Sequence, residues 1–87
     1  MTYKQAERVQ RELTKIAKAV GLWAIDIWEG FGYGEYAIGG GYLQWSPALQ
    51  GYIEMPLHKL HRDEIRGILI DAGRNPERVK WFKEIYG

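Results

Sequence analysis

Apolar residues recur over the first twenty positions with the period of an amphipathic helix. At about 100° per residue, the apolar side chains share one face and basic side chains occupy the opposite face. Thr2 and Gln5 match a capping box, and Gly21 suits the left-handed position after a helix end. The pattern predicts a helix over residues 2–21, with an apolar face of Ala6, Val9, Leu13, Ile16, Ala17 and Val20 and a basic face of Lys4, Arg8, Arg11, Lys15 and Lys18.

The next segments have the patterns of strands and turns. Residues 22–29 alternate, which predicts a half-buried strand. Residues 30–34 predict a turn. Residues 35–46 predict either one long strand bent by a bulge at Gly39-Gly40-Gly41, which we favour, or two strands joined there. A turn over residues 46–51 leads to a short strand over residues 52–55, which Pro56 ends. The alternation of the first strand places Trp23, Ile25 and Ile27 on one side and Ala24, Asp26 and Trp28 on the other.

The C-terminal third predicts two further helices. Asp63 and Glu64 suit a helix N-terminus, and Gly73 suits its end. Asn75-Pro76-Glu77 has the order of a cap, a first-position proline and an acidic first turn, which predicts a third helix reaching Tyr86. The element order predicts a single α+β domain over residues 1–87. It has an N-terminal helix, an antiparallel meander of three or four strands, and two C-terminal helices, all packed on one sheet face.

Composition and charge narrow the function classes. The 87-residue chain has no cysteine, which excludes disulfides and thiolate metal sites. No apolar run is long enough for a membrane helix and no secretory signal is visible, so we expect a cytoplasmic protein without a membrane partner. Residues 1–20 hold five basic and two acidic residues, residues 21–57 hold four acidic and no basic ones, and residues 58–87 hold seven basic and five acidic ones. This asymmetry indicates distinct faces, one of them suited to a polyanion.

A known family shares part of this pattern. Residues 53–73 are IEMPLHKLHRDEIRGILIDAG. They resemble the C-terminal half of HicA-type mRNA interferase toxins, in which a strand ends in a Val-Pro-x-His-like segment and the following helix ends in Ile-Leu-x-x-Ala-Gly. Met55-Pro56-Leu57-His58 matches the first part, and residues 68–73 match the second. The order of helix, meander and helix is also similar to double-stranded RNA-binding domains, so the resemblance implies that fold.

The resemblance does not extend to the catalytic residue of the family. In HicA-type toxins a Gly-x-His on the second strand supplies the histidine that cleaves RNA, whereas residues 32–35 here are Gly-Tyr-Gly-Glu. Cleavage would then depend on His58 or His61, for which Glu54 and Asp63 are the evident partners. The same histidines form an H-x-x-H pair that could bind a divalent ion, but loop histidines are more often hydrogen-bonding or capping groups. We therefore expect no metal.

The stretch EGFGYGEY at residues 29–36 nearly matches an RNA-recognition signature. That match would place stacked bases on Phe31, Tyr33 and Tyr36. However, the position that should be basic is Glu29, and the position that should be aliphatic is Gly34. A sheet with carboxylates and no cation also repels phosphates. We therefore interpret the glycines of this stretch as the turn of the first hairpin.

No nucleophile with a base, metal motif or carboxylate pair emerges, which favours a non-enzymatic binding protein without a cofactor. The leading hypothesis is phosphate-directed binding of RNA or duplex nucleic acid by a basic surface. The alternative is a protein-interaction module, such as a regulator, a viral or mobile-element inhibitor or a homodimer, that uses an aromatic, acid-rimmed sheet face. A residual HicA-like ribonuclease is third. Each surface also has an ordinary structural interpretation. The basic residues would form a solvated helix face, and the aromatic residues would form half-buried cross-strand pairs. The nucleic-acid site comprises Lys4, Arg8, Arg11, Lys15, Lys18, Lys59 and Arg62, and the protein site comprises Trp28, Tyr42, Trp45 and Tyr52.

Overall fold

A computed structural model describes residues 1–30, 32 and 34–87 of the chain. The elements are α1 (Tyr3–Val20), β1 (Leu22–Glu29), β2 (Tyr36–Ser46), β3 (Gly51–Glu54), β4 (His58–Lys59), α2 (Arg62–Asp71), a 3-10 turn (Pro76–Arg78) and α3 (Lys80–Tyr86). The strands form one antiparallel sheet in which β2 pairs with each of the other three. The predicted α+β class, with one helix before the sheet and two after it, is confirmed.

Helix α1 begins and ends where its caps predict. The Thr2 hydroxyl accepts a hydrogen bond from the Gln5 N–H at 3.2 Å, and the Gln5 side chain accepts one from the Thr2 N–H at 2.9 Å. Gly21 follows the helix with a φ of 76°, a conformation that favours glycine. Between these caps, the helix fully buries Ala6, Val9 and Leu13.

Two short strands share the edge of β2 that lies opposite β1. β3 pairs with residues 43–46 of β2, and β4 pairs with Gly39 and Gly40. Between the two pairings, the three residues 55–57 lie opposite only two residues of β2, Gly41 and Tyr42. This edge therefore contains one extra residue, as in a bulge. Pro56 lies within this irregular segment, as prolines in sheets commonly lie at edges and bulges, and pairing with β2 resumes at His58. The fourth strand is therefore β4, not a product of the glycine triplet.

The glycine triplet lies inside one continuous strand, which is one of the two predicted arrangements. The bulge expected at the triplet is wrong, because the irregular pairing is in β1. Leu22 pairs with Tyr42 and Ala24 pairs with Gly41, so Trp23 is the extra residue. This bulge moves Trp23 away from the side of Ile25 and Ile27, which pack against the core as predicted: Leu22 is 6% exposed, whereas Trp23 is 40% exposed.

Two indole rings explain why positions 39 and 41 are glycine. A Cβ on Gly41 would lie 2.5 Å from the Trp23 Nε1, and a Cβ on Gly39 would overlap the Trp28 ring. Because residues 39 and 41 share one face of the strand, both tryptophans cover that face, which we call the outer face. The prediction that Trp23 and Trp28 lie on opposite sides is therefore wrong, and the bulge at Trp23 is the reason.

The helices pack on the other face of the sheet around one core. Ile38 of β2 is fully buried, and Leu60 fills the space above Gly40. The predicted third helix is broken, because Val79 has an extended backbone between the 3-10 turn and α3 and buries its side chain. The core comprises Ala6, Val9, Leu13, Leu22, Ile38, Leu60, Ile65, Ile68, Leu69, Val79, Trp81 and Phe82.

Candidate functional site

The basic face of α1 points away from the core. Each of its five cations is exposed. Glu12 contacts two of them, with its Oε1 3.4 Å from the Arg8 Nε and 3.3 Å from the Lys15 Nζ. Exposed pairs of this kind contribute only about 0.2 to 1 kcal/mol and leave the cations accessible. Within the described ranges, no ion pair involves the remaining three, which are Lys4, Arg11 and Lys18.

A groove beside α1 brings in cations that the sequence did not place there. It runs between α1 and residues 73–81, with Arg8 and Glu12 on the α1 side. Arg74, Arg78 and Lys80 line the opposite side. Four basic side chains and one acid, Glu12, therefore line this groove, and the Lys80 Nζ also lies 3.9 Å from the Glu84 Oε1 on α3. Because Arg74 follows Arg8 by 66 positions, no local pattern could have indicated that they meet.

A second groove on the same side connects α1 to α3. Lys4 and Arg8 line it together with Trp81 and Glu84. Arg8 lines both grooves, so the cations of α1 and those of residues 74–80 form one continuous surface. We call it the basic surface; it comprises Lys4, Arg8, Arg11, Lys15, Lys18, Arg74, Arg78 and Lys80.

Lys59 and Arg62 lie away from the basic surface. The Arg62 Nε donates a hydrogen bond to the Tyr86 carbonyl oxygen at 3.2 Å, and the guanidinium lies 5.5 Å from the centre of the Phe82 ring. Arg62 thereby ties the start of α2 to the end of α3. Both residues line a pocket at the sheet edge that also contains Glu35. The structure does not bring them together with the cations of α1.

Two of the four predicted interface aromatics meet on the hairpin formed by β2 and β3. Trp45 and Tyr52 pair across the strands in an edge-to-face arrangement, with ring centres 5.3 Å apart. Trp28 shares their outer face but is half-buried. Tyr42 is on the helix-facing side, where it packs against the core with its ring 6.1 Å from that of His58. The expectation that all four share one face is wrong, because Tyr42 and Trp45 have opposite parity along β2.

His58 has a carboxylate partner that the sequence did not indicate. Its Nε2 lies 2.7 Å from the Glu64 Oε2, which joins β4 to the first turn of α2. This hydrogen bond raises the pKa of His58, although partial desolvation opposes it. Partial burial acts to raise the pKa of Glu64, but the bonds from His58 and from the His61 N–H outweigh it, and the pKa is lowered. No group of three or more His, Cys, Asp or Glu side chains in residues 1–30, 32 and 34–87 could hold a metal ion.

The EGFGYGEY stretch connects β1 to β2. Its glycines at positions 30, 32 and 34 have φ values of 107°, 138° and 74°, which agree with the predicted turn. Tyr36 contacts Tyr3 edge-to-face, with ring centres 5.2 Å apart, and packs against the core. The proposed stacking residues Phe31 and Tyr33 lie outside the described residues.

Comparisons with known proteins returned no match. No family model, no curated protein and no solved structure matches the chain. The likeness to HicA-type toxins and to double-stranded RNA-binding domains therefore stays a prediction from the sequence. In the part of the chain that the structure describes, no helix has the length and apolarity needed to cross a membrane.

Proposed function

We propose that this is a non-enzymatic nucleic-acid-binding protein that contacts duplex phosphates through the basic surface. The observation that supports the proposal is the groove that Arg8, Arg74, Arg78 and Lys80 line together, with Glu12 as the one acid in its lining. A solvated helix face accounts for cations on α1 alone. It does not account for three more cations supplied by a distant segment, whereas a polyanion site does.

The length of the basic face suits several phosphates at once. Lys4 and Lys18 lie 14 residues apart on α1, which corresponds to about 21 Å along the helix axis. A duplex advances about 3.4 Å per base pair, so this length covers about six base pairs. Lysine and arginine side chains contact phosphate oxygens without reading base edges. The proposed binding therefore has little sequence preference.

Salt dependence and charge reversal test the proposal. Fluorescence anisotropy with labelled duplex RNA and duplex DNA should show binding at about 50 mM salt that weakens steeply by about 200 mM. Arg11→Glu should weaken binding about tenfold, equivalent to about 1.4 kcal/mol, because an attraction becomes a repulsion. Arg74→Glu should have a similar effect if the groove takes part.

Arg66→Glu is the matched control for both variants. Arg66 is exposed on α2 and lines neither groove, and its reversal changes the net charge equally. We expect it to bind almost as well as the wild type. The proposal fails if neither duplex binds at low salt, or if Arg66→Glu weakens binding as much as Arg11→Glu does.

The non-enzymatic part of the proposal has a separate test. RNA incubated with the wild-type protein should remain intact on a denaturing gel. Cleavage by the wild type that disappears in His58→Ala would contradict this part. It would support the residual ribonuclease instead, with Glu64 orienting the His58 imidazole at 2.7 Å.

A further inference from the structure

Exposed apolar side chains are concentrated at one end of the sheet. Among the described residues eight large apolar side chains are exposed, and six of these lie on or beside the β2–β3 hairpin. Even Ile53, which pairs with Gln44 on the helix-facing side, is 37% exposed, so the helices leave this end uncovered. We call the six the hairpin surface: Trp23, Leu43, Trp45, Leu49, Tyr52 and Ile53.

The area of this surface is large for so small a protein. Trp23, Trp45 and Tyr52 are 40%, 52% and 68% exposed. Because an aromatic side chain carries about 200 Å², these three alone expose about 300 Å². Leu43 and Leu49 are 40% and 71% exposed and enlarge the patch. Tyr52 and Ile53 lie on opposite faces of β3, so a contact along the β3 edge covers apolar side chains on both faces of the hairpin, whereas Trp23 lies on β1, farther from this edge.

The hairpin surface has no charge to match a charged partner. None of its six side chains is charged, and residues 36–53 contain no Asp, Glu, Lys, Arg or His, so Glu54 at the end of β3 is the one charge of the hairpin strands. An acidic or basic partner surface would lose hydration here and gain no opposite charge in return. An uncharged apolar patch, by contrast, is complementary to a copy of itself. The absence of charge therefore favours a second copy of this chain as the occupant.

β3 also presents an open sheet edge to such a copy. The Met55 N–H donates to the Tyr42 carbonyl oxygen on β2. Since N–H directions alternate along an antiparallel strand, those of Tyr52 and Glu54 point away from β2. β3 contains no lysine, proline or inward-pointing charge of the kind that blocks edge pairing.

We propose that the protein forms a homodimer through the hairpin surface, with β3 paired antiparallel to the β3 of a second copy. A two-fold axis makes the contact self-complementary and closes the assembly at two chains. Two registers allow the outward N–H groups of Tyr52 and Glu54 to form hydrogen bonds with the second copy. In one register Tyr52 lies opposite the Tyr52 of the second copy, and in the other it lies opposite Glu54. The register with Tyr52 opposite Tyr52 keeps the two Glu54 carboxylates farther apart, because in the other register they are diagonal neighbours about 7 to 8 Å apart on one face. The contact involves none of the residues of the basic surface.

Oligomeric state tests this inference. Sedimentation velocity from about 1 μM to about 1 mM should show a monomer converting to a dimer and to nothing larger. Tyr52→Lys places a charge in the contact without removing a buried side chain, so it should weaken dimerisation tenfold or more. Ile70→Lys is the matched control, because Ile70 is 47% exposed on α2, outside the hairpin. It should dimerise like the wild type.

Hydrogen exchange distinguishes edge pairing from other contacts. The amides of Tyr52 and Glu54 should exchange more slowly at high than at low protein concentration, and Glu54 should lose this protection in Tyr52→Lys. Unchanged exchange at both amides would overturn the inference, as would a wild type that stays monomeric or a dimer that survives Tyr52→Lys intact. Arg11→Glu should still dimerise, so failure of the nucleic-acid proposal and failure of the dimer are separable.

Discussion

The two ends of β2 have the same apolar character but opposite environments. Residues 37–41 are buried, whereas residues 43–45 are exposed. Ile38 is fully buried, and Leu43 in the same strand is 40% exposed. The neighbours of the strand make the difference: β1 and β4 flank the first part, and β3 flanks the second. Two tryptophans and three helices thus enclose one end, while the other end is a two-stranded hairpin.

The residues that stabilise the fold and the residues proposed for self-association therefore lie at different ends of the sheet. The helix-packed end contains the core and carries the basic surface on its outside. The hairpin contributes little to the core and displays apolar side chains that a monomer leaves in water. Substitutions at the helix-packed end should therefore change the free energy of unfolding, and substitutions on the hairpin should change association. The pairs Ile38 and Leu43, and Tyr86 and Tyr52, test this division, whereas Gly39, Gly67 and His58 test contacts within the helix-packed end.

The largest expected difference lies within β2 itself. Ile38→Ala should lower the free energy of unfolding by about 2 to 5 kcal/mol, because it leaves a cavity in the core. Leu43→Ala should lower it by less than about 1 kcal/mol, since Leu43 is already partly in water. Urea denaturation at low protein concentration measures both values. Equal losses would contradict the division of the strand.

Two glycines compare a crowded site with an open one. Gly39→Ala should destabilise the protein by about 1 to 3 kcal/mol, because the new Cβ overlaps the Trp28 ring. Gly67→Ala should stabilise it by about 0.5 to 1 kcal/mol, since Gly67 lies inside α2 with no atom within 4 Å of a new Cβ. Thermal and urea melts should show the opposite signs. A tolerated Gly39→Ala would contradict the close packing of the indole on β2.

Two tyrosine hydroxyls compare a buried polar atom with an exposed one. Burial raises the pKa of Tyr86 to about 12, and its hydroxyl finds no hydrogen-bond partner among the described residues. Tyr86→Phe should therefore stabilise the protein by about 1 kcal/mol. Tyr52→Phe removes an exposed hydroxyl from the hairpin and should change stability by less than about 0.5 kcal/mol. A destabilised Tyr86→Phe would show that the hydroxyl is satisfied in solution.

The smallest expected effect is the change in stability with pH that the His58–Glu64 pair produces. The raised pKa of His58 makes its pairing with Glu64 fully stabilising below about pH 6.5, and this contribution is lost as pH rises through the pKa of the folded state. The lowered pKa of Glu64 makes its contribution present above about pH 4.5 and lost as pH falls further. Their side chains are 47% and 34% exposed, so the change should be below about 1 kcal/mol.

Melting temperatures measured from pH 5 to pH 8 can isolate this contact. The wild type should lose a small amount of stability across the range, and His58→Gln should lose less. The hairpin should add nothing to this pH dependence of stability, because residues 36–53 contain no Asp, Glu, Lys, Arg or His. A wild type and a His58→Gln variant with the same pH dependence would show that the pair does not form in solution.

Local patterns predicted the elements more successfully than their contacts. The capping box at Thr2 and the stop at Gly21 mark the ends of α1, and the positive φ angles of the first turn fall on glycines. Local patterns do not predict the bulge at Trp23, because a glycine triplet is the more flexible position. They do not predict β4, because proline usually ends a strand. In both cases the neighbouring strand, not the local sequence, determines the pairing.

For the candidate sites too, the sequence predicted which residues of one element lie together but not which elements meet. The five cations of α1 could be assigned to one face because helical periodicity relates residues three and four positions apart. Arg74, Arg78 and Lys80 could not be added to them, and Glu64 could not be assigned to His58, because these contacts join separate elements. The expectation that Tyr42 shares a face with Trp45 is wrong because the two residues are three positions apart on one regular strand and therefore point to opposite faces.

The sequence by itself determined the α+β class, the extent of α1, its basic face and the uncharged character of residues 36–53. These properties depend on capping, periodicity and composition, which act over a few neighbouring residues. Only the tertiary structure decided that the triplet accommodates two indole rings, that a distant segment extends the basic surface, and that the hairpin remains uncovered. Those outcomes depend on which side chains fill the space between elements, and that space exists only after the chain has packed.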